Sequence, residues 1–179
     1  MGLMRFLCIV ILISLLAACS TAPPYRVERT AEFQRPTGEM TLYFVPFKSI
    51  LAPNDLSSEL FNRVVDSFDN ATADKNLTAL VLKRELASVD KDWLSQQYYV
   101  TGEVFAYDEE TGCCSTEIKL TTRLHLYQPG TVNPVVRIDL PYRILFNHDQ
   151  SNLDAEKERM LAVLSKEFHR ALLAEISPR

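Results

Sequence analysis

Seven side chains are the natural starting points for chemistry: Cys8, Cys19, Cys113, Cys114, His125, His148 and His169. A metal site needs ligands at set spacings, such as two histidines four residues apart on one helix, and these three histidines fall on a strand face, in a loop and on a terminal helix. Cys113 and Cys114 are adjacent, so they cannot staple distant parts of one chain. A vicinal disulfide, bonds to another chain, and free thiols are the outcomes open to them. Two neighbouring sulfurs without a spaced partner pair do not build a tetrahedral cage, so no metal is expected. His148-Asp149 is a polar loop pair, and no Gly-x-Ser-x-Gly, phosphate-cradling or Cys-His nucleophile motif occurs. With five glycines in the chain, backbone nests for phosphate are scarce. Asp108-Glu109-Glu110 reads as a solvated acidic turn. The expectation is a protein with no catalytic residues and no cofactor.

Cys19 is different, because its context is specific. Arg5 precedes an apolar run from Phe6 to Leu16, followed by Ala17-Ala18-Cys19. A positive charge, a short apolar stretch and small residues at a cleavage point make a secretory signal. The run is too short to span a bilayer, which needs about 20 residues. Leu16-Ala17-Ala18-Cys19 resembles the lipobox of bacterial lipoproteins. That resemblance implies cleavage before Cys19, with residues 1–18 removed as signal peptide. It also implies a Cys19 carrying S-diacylglycerol and an N-palmitoyl group. Two or three acyl chains, at about 0.8 kcal/mol per buried CH₂, hold a protein to a membrane where one chain would not. Ser20, rather than Asp, after the acylated position implies sorting to the outer membrane, with the domain facing the periplasm.

Loss of residues 1–18 leaves 161 residues with 18 basic and 23 acidic side chains, a formal charge of −5. That length suffices for one domain with a sizeable core. The acidic balance argues against nucleic acid, since no basic stripe exists to displace phosphate counterions. It argues equally against electrostatic binding to anionic lipid, so the membrane partner is held through the covalent lipid.

These residues must be carried by elements legible from periodicity. Residues 19–39, with Pro23, Pro24, Pro36 and Gly38, read as the acylated N-terminus and a flexible tether. A single domain covers 40–179. Met40–Phe47 is a strand ending near Pro46. A helix from about Asp55 to Asp69, capped by Asn54 or Asp55, places Leu56, Leu60, Phe61, Val64, Val65 and Phe68 on one face. A turn follows over 69–76. Residues 77–97 suggest a short strand and then a broken helix. Tyr98–Tyr107 is a strand, 108–112 a turn, and 113–127 a strand with Ile118, Leu120, Thr122, Leu124 and Leu126 on one side. A loop at 128–134 leads to a third strand with Val136, Ile138, Leu140, Tyr142, Ile144 and Phe146 aligned. Pro141 within it signals an edge, a bulge or a break. Leu153–Ile176 is a strongly amphipathic helix with Asn152 or Ser151 as cap. The fold class expected is α/β: a two-layer sandwich, its mixed sheet ending in an antiparallel meander packed against two to three helices. Trp93, Tyr98 and Tyr99 form the one aromatic cluster suited to a partner or a membrane interface.

Three phrases carry a resemblance over about residues 40–176. Leu42-Tyr-Phe-Val-Pro-Phe47 is similar to the "VxPF" opening strand of TolB amino-terminal-like domains. Tyr98-Tyr-Val-Thr-Gly-Glu-Val104 is similar to their "adyvvtGev" strand. Leu124-His-Leu-Tyr127 with Val135-Val136-Arg137 is similar to their "lrlyd…vvw" hairpin. The curli-secretion lipoprotein and the Pel exopolysaccharide export lipoprotein share this pattern and the acylated cysteine. The longer curli protein has membrane-spanning β segments with no counterpart here, so the shorter Pel-type lipoproteins are the nearer comparison. The resemblance implies a non-catalytic lipoprotein: a subunit or scaffold of an outer-membrane export or envelope-assembly system, associating with itself or with an envelope protein. The alternative is a lipid- or glycan-binding accessory lipoprotein.

Overall fold

The computed structural model describes residues 25–70, 77–84 and 86–177. Its elements are β1 (Arg26–Arg29), β2 (Met40–Phe44), β3 (Lys48–Ser49), α1 (Asn54–Asn70), β4 (Leu77–Val81), a 3-10 turn at Leu86–Ser88, α2 (Lys91–Leu94), β5 (Tyr98–Thr111), β6 (Ser115–Tyr127), β7 (Val136–Asn147) and α3 (Leu153–Ile176). The strands form one mixed sheet in the order β1-β7-β6-β5-β2-β4, with β3 alongside β5. β2 runs parallel to both β4 and β5; β5, β6 and β7 form an antiparallel meander. Helices α1 and α3 cover one face, so the architecture is the α/β two-layer sandwich expected from the periodicity.

The core lies between that face and the two helices. Leu42, Phe44, Val100, Val104, Ile118, Leu120, Leu124, Leu126, Ile138 and Leu140 meet Leu60, Val64, Met160, Leu161, Leu164, Phe168 and Leu172, all buried. Each such side chain contributes about 1.5–3 kcal/mol relative to exposure. Thr122 sits among them because its hydroxyl donates to the Leu140 carbonyl at 2.8 Å, which removes the cost of burying it. α3 begins at Asn152, whose side chain accepts from the Ala155 amide at 2.9 Å. The buried Glu156 is satisfied by Ser151 at 2.6 Å and Arg159 at 3.0 Å. α1 and α3 are joined on the surface by Arg63, which pairs with Glu59 and Glu158.

Three features depart from the sequence reading. Residues 26–29, expected within the flexible tether, are a strand pairing antiparallel with β7 from Asp139 to Val136, so the ordered domain starts by Tyr25 rather than at residue 40. Tyr25, Val27 and Phe33 pack against the core, and Arg29 makes a two-pronged bond to the buried Glu175 at the end of α3. A four-residue strand is too short to show a period; its partner edge creates it. Second, 108–112 is not the turn. β5 runs on to Thr111, and the hairpin turns over 112–114, closed by the Gly112 amide on the Ser115 carbonyl at 2.9 Å. Asp108 and Glu110 are tolerated in the strand because Lys119 on β6 pairs with both. Third, β5 is bulged at Phe105: Val104 opposes Thr122 while Ala106 opposes Thr121. The extra residue reverses the alternation, so Tyr107 points to the helix layer instead of sharing a face with Tyr99. Pro141 lies just past the last β1 partner, Asp139, where the outer edge of β7 meets no strand among the described residues; of the three options for it, the edge holds.

Candidate functional site

Cys19, with the rest of the segment expected to be a signal and lipobox, lies outside the described residues. Cys113 and Cys114 occupy the exposed tip of the β5–β6 hairpin, unbonded, with their Sγ atoms 3.0 Å apart. That contact raises the Cys114 thiol above its ordinary pKa. Among the described residues no group of three or more His, Cys, Asp and Glu side chains is placed to hold a metal ion. None of their helices is long and apolar enough to cross a membrane.

The sheet divides the aromatic trio. Tyr98 alternates with Val100 toward the helix layer and packs against the core. Tyr99 points to the opposite, open face, where its ring stacks on Tyr127, its cross-strand partner, at 4.4 Å and 4°. Burial and the neighbouring Tyr127 push the Tyr99 hydroxyl up to about 12. Trp93 projects from α2 onto Tyr43 of β2, edge to face at 5.0 Å, and stays 38% exposed. Tyr99 and Trp93 therefore share the open face, and Tyr98 does not.

Tyr99 belongs to a larger feature that the sequence alone does not reveal. A cleft of about 500 Å³ opens on this face, lined by Leu86, Ala87, Lys91, Leu94 and Ser95 on one side, Thr131 and Val132 on the other, with Tyr99 and Lys48 from β5 and β3. Two irregular segments form its walls, and each is tied down. Asp90 caps α2 by accepting from the Asp92 and Trp93 amides at 2.9 and 3.1 Å. The Gly130 amide donates to the Ser95 carbonyl at 2.8 Å, clamping the β6–β7 loop to the end of α2. Gly130 has φ +82°, a left-handed conformation that favours glycine. The signals available in advance were this glycine, in Gln128-Pro129-Gly130, and an apolar Val132 within an otherwise polar loop.

The remainder of the open face is charged. Arg123 pairs with Asp139 and lies over the Phe105 ring at 4.4 Å; Arg143 pairs with Glu117, and Arg137 with Glu28 at 3.5 Å. His125 Nε2 and Arg137 Nε, on cross-strand neighbours, are buried without a hydrogen-bond partner among the described residues. Burial lowers the His125 pKa, the surrounding charges of Glu103, Arg123, Arg137 and Asp139 acting in both directions. His148 bonds through Nε2 to Thr116 Oγ1 at 2.9 Å, and His169 packs edge-on against Phe68 at 4.5 Å. The three histidines stay apart, and the Thr116–His148 contact is the one hydroxyl–imidazole bond among the described residues.

No family model matches the chain, and no curated protein matches it. Solved structures do. PelC from Paraburkholderia phytofirmans, crystallised as a dodecamer, is 11% identical, with 87% of this chain and 99% of that chain covered and a TM-score of 0.53. A point variant of the same protein in another crystal form gives the same identity and coverage with a TM-score of 0.57. The chain folds like PelC. A putative neuraminyllactose-binding hemagglutinin homolog from Helicobacter pylori is also similar, at 9% identity, 84% and 92% coverage and a TM-score of 0.49. The fold implied by the resemblance of the three phrases is therefore the one observed. The structure supplies the link between two of them: Phe47 of the first phrase lies directly on Gly102 of the second.

Proposed function

We propose that this protein is a non-catalytic, lipid-anchored periplasmic lipoprotein that assembles with copies of itself as a subunit or scaffold of an outer-membrane export or envelope-assembly system. The observation that carries the reading is the PelC-like fold, matched over 99% of a chain whose crystals contain a dodecamer. The Leu16-Ala17-Ala18-Cys19 sequence supports the anchor. Two open sheet edges support assembly. The outer edge of β4 bears the exposed Leu80 and Val81, and β7 beyond Asp139 has no strand partner among the described residues. An unpaired strand edge is a template for another chain. The mechanism is positional: acyl chains fix the domain at the membrane, and its edges set the spacing of neighbours.

Light scattering on the chain from Ser20 onward, which holds every described residue, tests assembly. A mass several times that of the monomer is expected, reduced by Leu80→Glu. A monomer at all concentrations overturns the scaffold reading. Cys19→Ser tests the anchor, and a variant that still fractionates with membranes removes the acylation argument.

A further inference from the structure

The cleft on the open face goes beyond the scaffold reading. We propose that it binds a single-tailed anionic amphiphile, a fatty acid or lysophospholipid, with its apolar tail between α2 and the β6–β7 loop and its headgroup at Lys48 and Lys91.

Four observations carry this. The volume, about 500 Å³, lies in the range of small-molecule sites. The lining separates by chemistry: Leu86, Ala87, Leu94 and Val132 supply aliphatic surface, and the two charged residues are both lysines. In a chain with more acidic than basic side chains, a cleft whose charges are all positive is selective for anions. Neither lysine forms an ion pair with a described residue: Lys48 stands beside Glu103 in strand register without bonding to it, and Asp90, next to Lys91, is engaged in capping α2. Both lysines are exposed residues on the lining of the cleft.

The walls are also preformed. The Gly130–Ser95 hydrogen bond and the α2 cap fix the two walls in place without a ligand, which reduces the ordering cost of binding. Val132, at 91% exposure, stands on the lip as an apolar side chain with nothing to cover it, and a tail entering the cleft would bury it. A glycan fits less well. Sugar recognition needs several polar partners and a free aromatic face, whereas Ser95 and Thr131 are the only neutral hydroxyls here besides Tyr99, and one face of the Tyr99 ring is already stacked on Tyr127.

Delipidated chain from Ser20 onward should be titrated, below micelle concentrations, with laurate, dodecyl phosphate, dodecanol and dodecyltrimethylammonium. Trp93, the single tryptophan, lies between the lining residues Lys91 and Leu94 on α2 and reports by fluorescence. Saturable one-to-one binding of laurate or dodecyl phosphate is expected. A preference for the carboxylate points to free fatty acid, and a preference for the phosphate to lysophospholipid. Lys48→Glu with Lys91→Glu should weaken anion binding about tenfold, on the scale of two exposed charge contacts, and favour the cationic amphiphile. Val132→Asp should weaken every tail. All three positions are exposed, and the like charge that Lys48→Glu brings beside Glu103 costs about 0.2–1 kcal/mol, so melting temperatures without ligand should fall by about 4 °C at most. Absence of saturation overturns the proposal, as does equal affinity for dodecanol and laurate in both charge states of the cleft. A Val132→Asp variant that changes the assembly mass but not laurate binding identifies the cleft as an interface between copies and also overturns it. Assembly mass and ligand titration are separate readouts, so the scaffold reading and this one can fail independently.

Discussion

Gly102→Ala should destabilise the protein, although an alanine within a strand is ordinarily better than a glycine by about 0.5–1 kcal/mol. Gly102 has no left-handed backbone to explain it; space does. A Cβ placed there would stand 2.4 Å from Cδ1 and 2.5 Å from Cγ and Cε1 of Phe47, more than an ångström inside normal contact. The ring cannot swing aside cheaply. It is buried, it packs edge-on against Phe61 at 5.3 Å, and its backbone is held to β5 on both sides by the Val45–Val100 and Ile50–Val104 hydrogen bonds of 2.9 and 3.0 Å. Overpacking of this kind costs about 1–3 kcal/mol, so the net loss after the propensity gain is about 1–2 kcal/mol. In a domain of this size that lowers Tm by roughly 2–8 °C. Phe47→Ala alone should cost about 3–5 kcal/mol. In that background Gly102→Ala meets no ring, so it should become neutral or stabilising. The resulting coupling is about 2 kcal/mol. Urea unfolding midpoints, with the slope checked for constancy, measure all four corners of the cycle. Phe47→Leu serves in place of Phe47→Ala if the latter does not fold. A stabilising Gly102→Ala in the unmodified chain, or simple additivity, would refute the reasoning.

Arg29→Ala removes the partner of Glu175, whose side chain is 3% exposed, while Arg29 is half-solvated. A fully buried pair broken on one side costs about 3–5 kcal/mol. Half exposure brings the expectation down to about 2 kcal/mol, with loss of amide-exchange protection in β1; a change below about 0.5 kcal/mol by thermal unfolding contradicts it. Burial lowers the His169 pKa from 6.5, so the folded state binds fewer protons than the unfolded chain. Its contribution is present above pH 6.5 and lost as pH falls through the folded value, so unfolding midpoints should drop between pH 7.5 and 5. His125, shifted the same way, acts likewise. His169→Phe should flatten part of that slope, and an unchanged slope argues against the assignment. Cys113 and Cys114 should both react with Ellman reagent in the native chain, faster as pH rises. Failure of both to react without reductant, with recovery on reduction, would identify the vicinal disulfide instead.

What was legible in the sequence is what nearest neighbours encode. The α1 stripe from Leu56 to Phe68, the limits of α3 at Leu153 and Ile176, and the burial of Thr122 with the leucines of β6 all follow from periods of 3.6 and 2 within one element. The resemblance of Leu16-Ala17-Ala18-Cys19 to a lipobox likewise rests on adjacent residues alone. Tertiary structure decided the rest. β1 exists because β7 offers an edge and Glu175 a counter-charge 146 residues away, and no four-residue pattern announces either. The bulge at Phe105 turns Tyr107 to the helix layer, so the faces of β5 could not be read by alternation alone. The cleft gathers Lys48, the 86–95 segment and the 131–132 loop, which touch only once the sheet is paired. Gly102 appears as an ordinary strand glycine until Phe47 arrives over it. Periodicity is a property of a segment, but a cavity, a clash or an ion pair is a property of the distance between segments, and packing alone sets that distance.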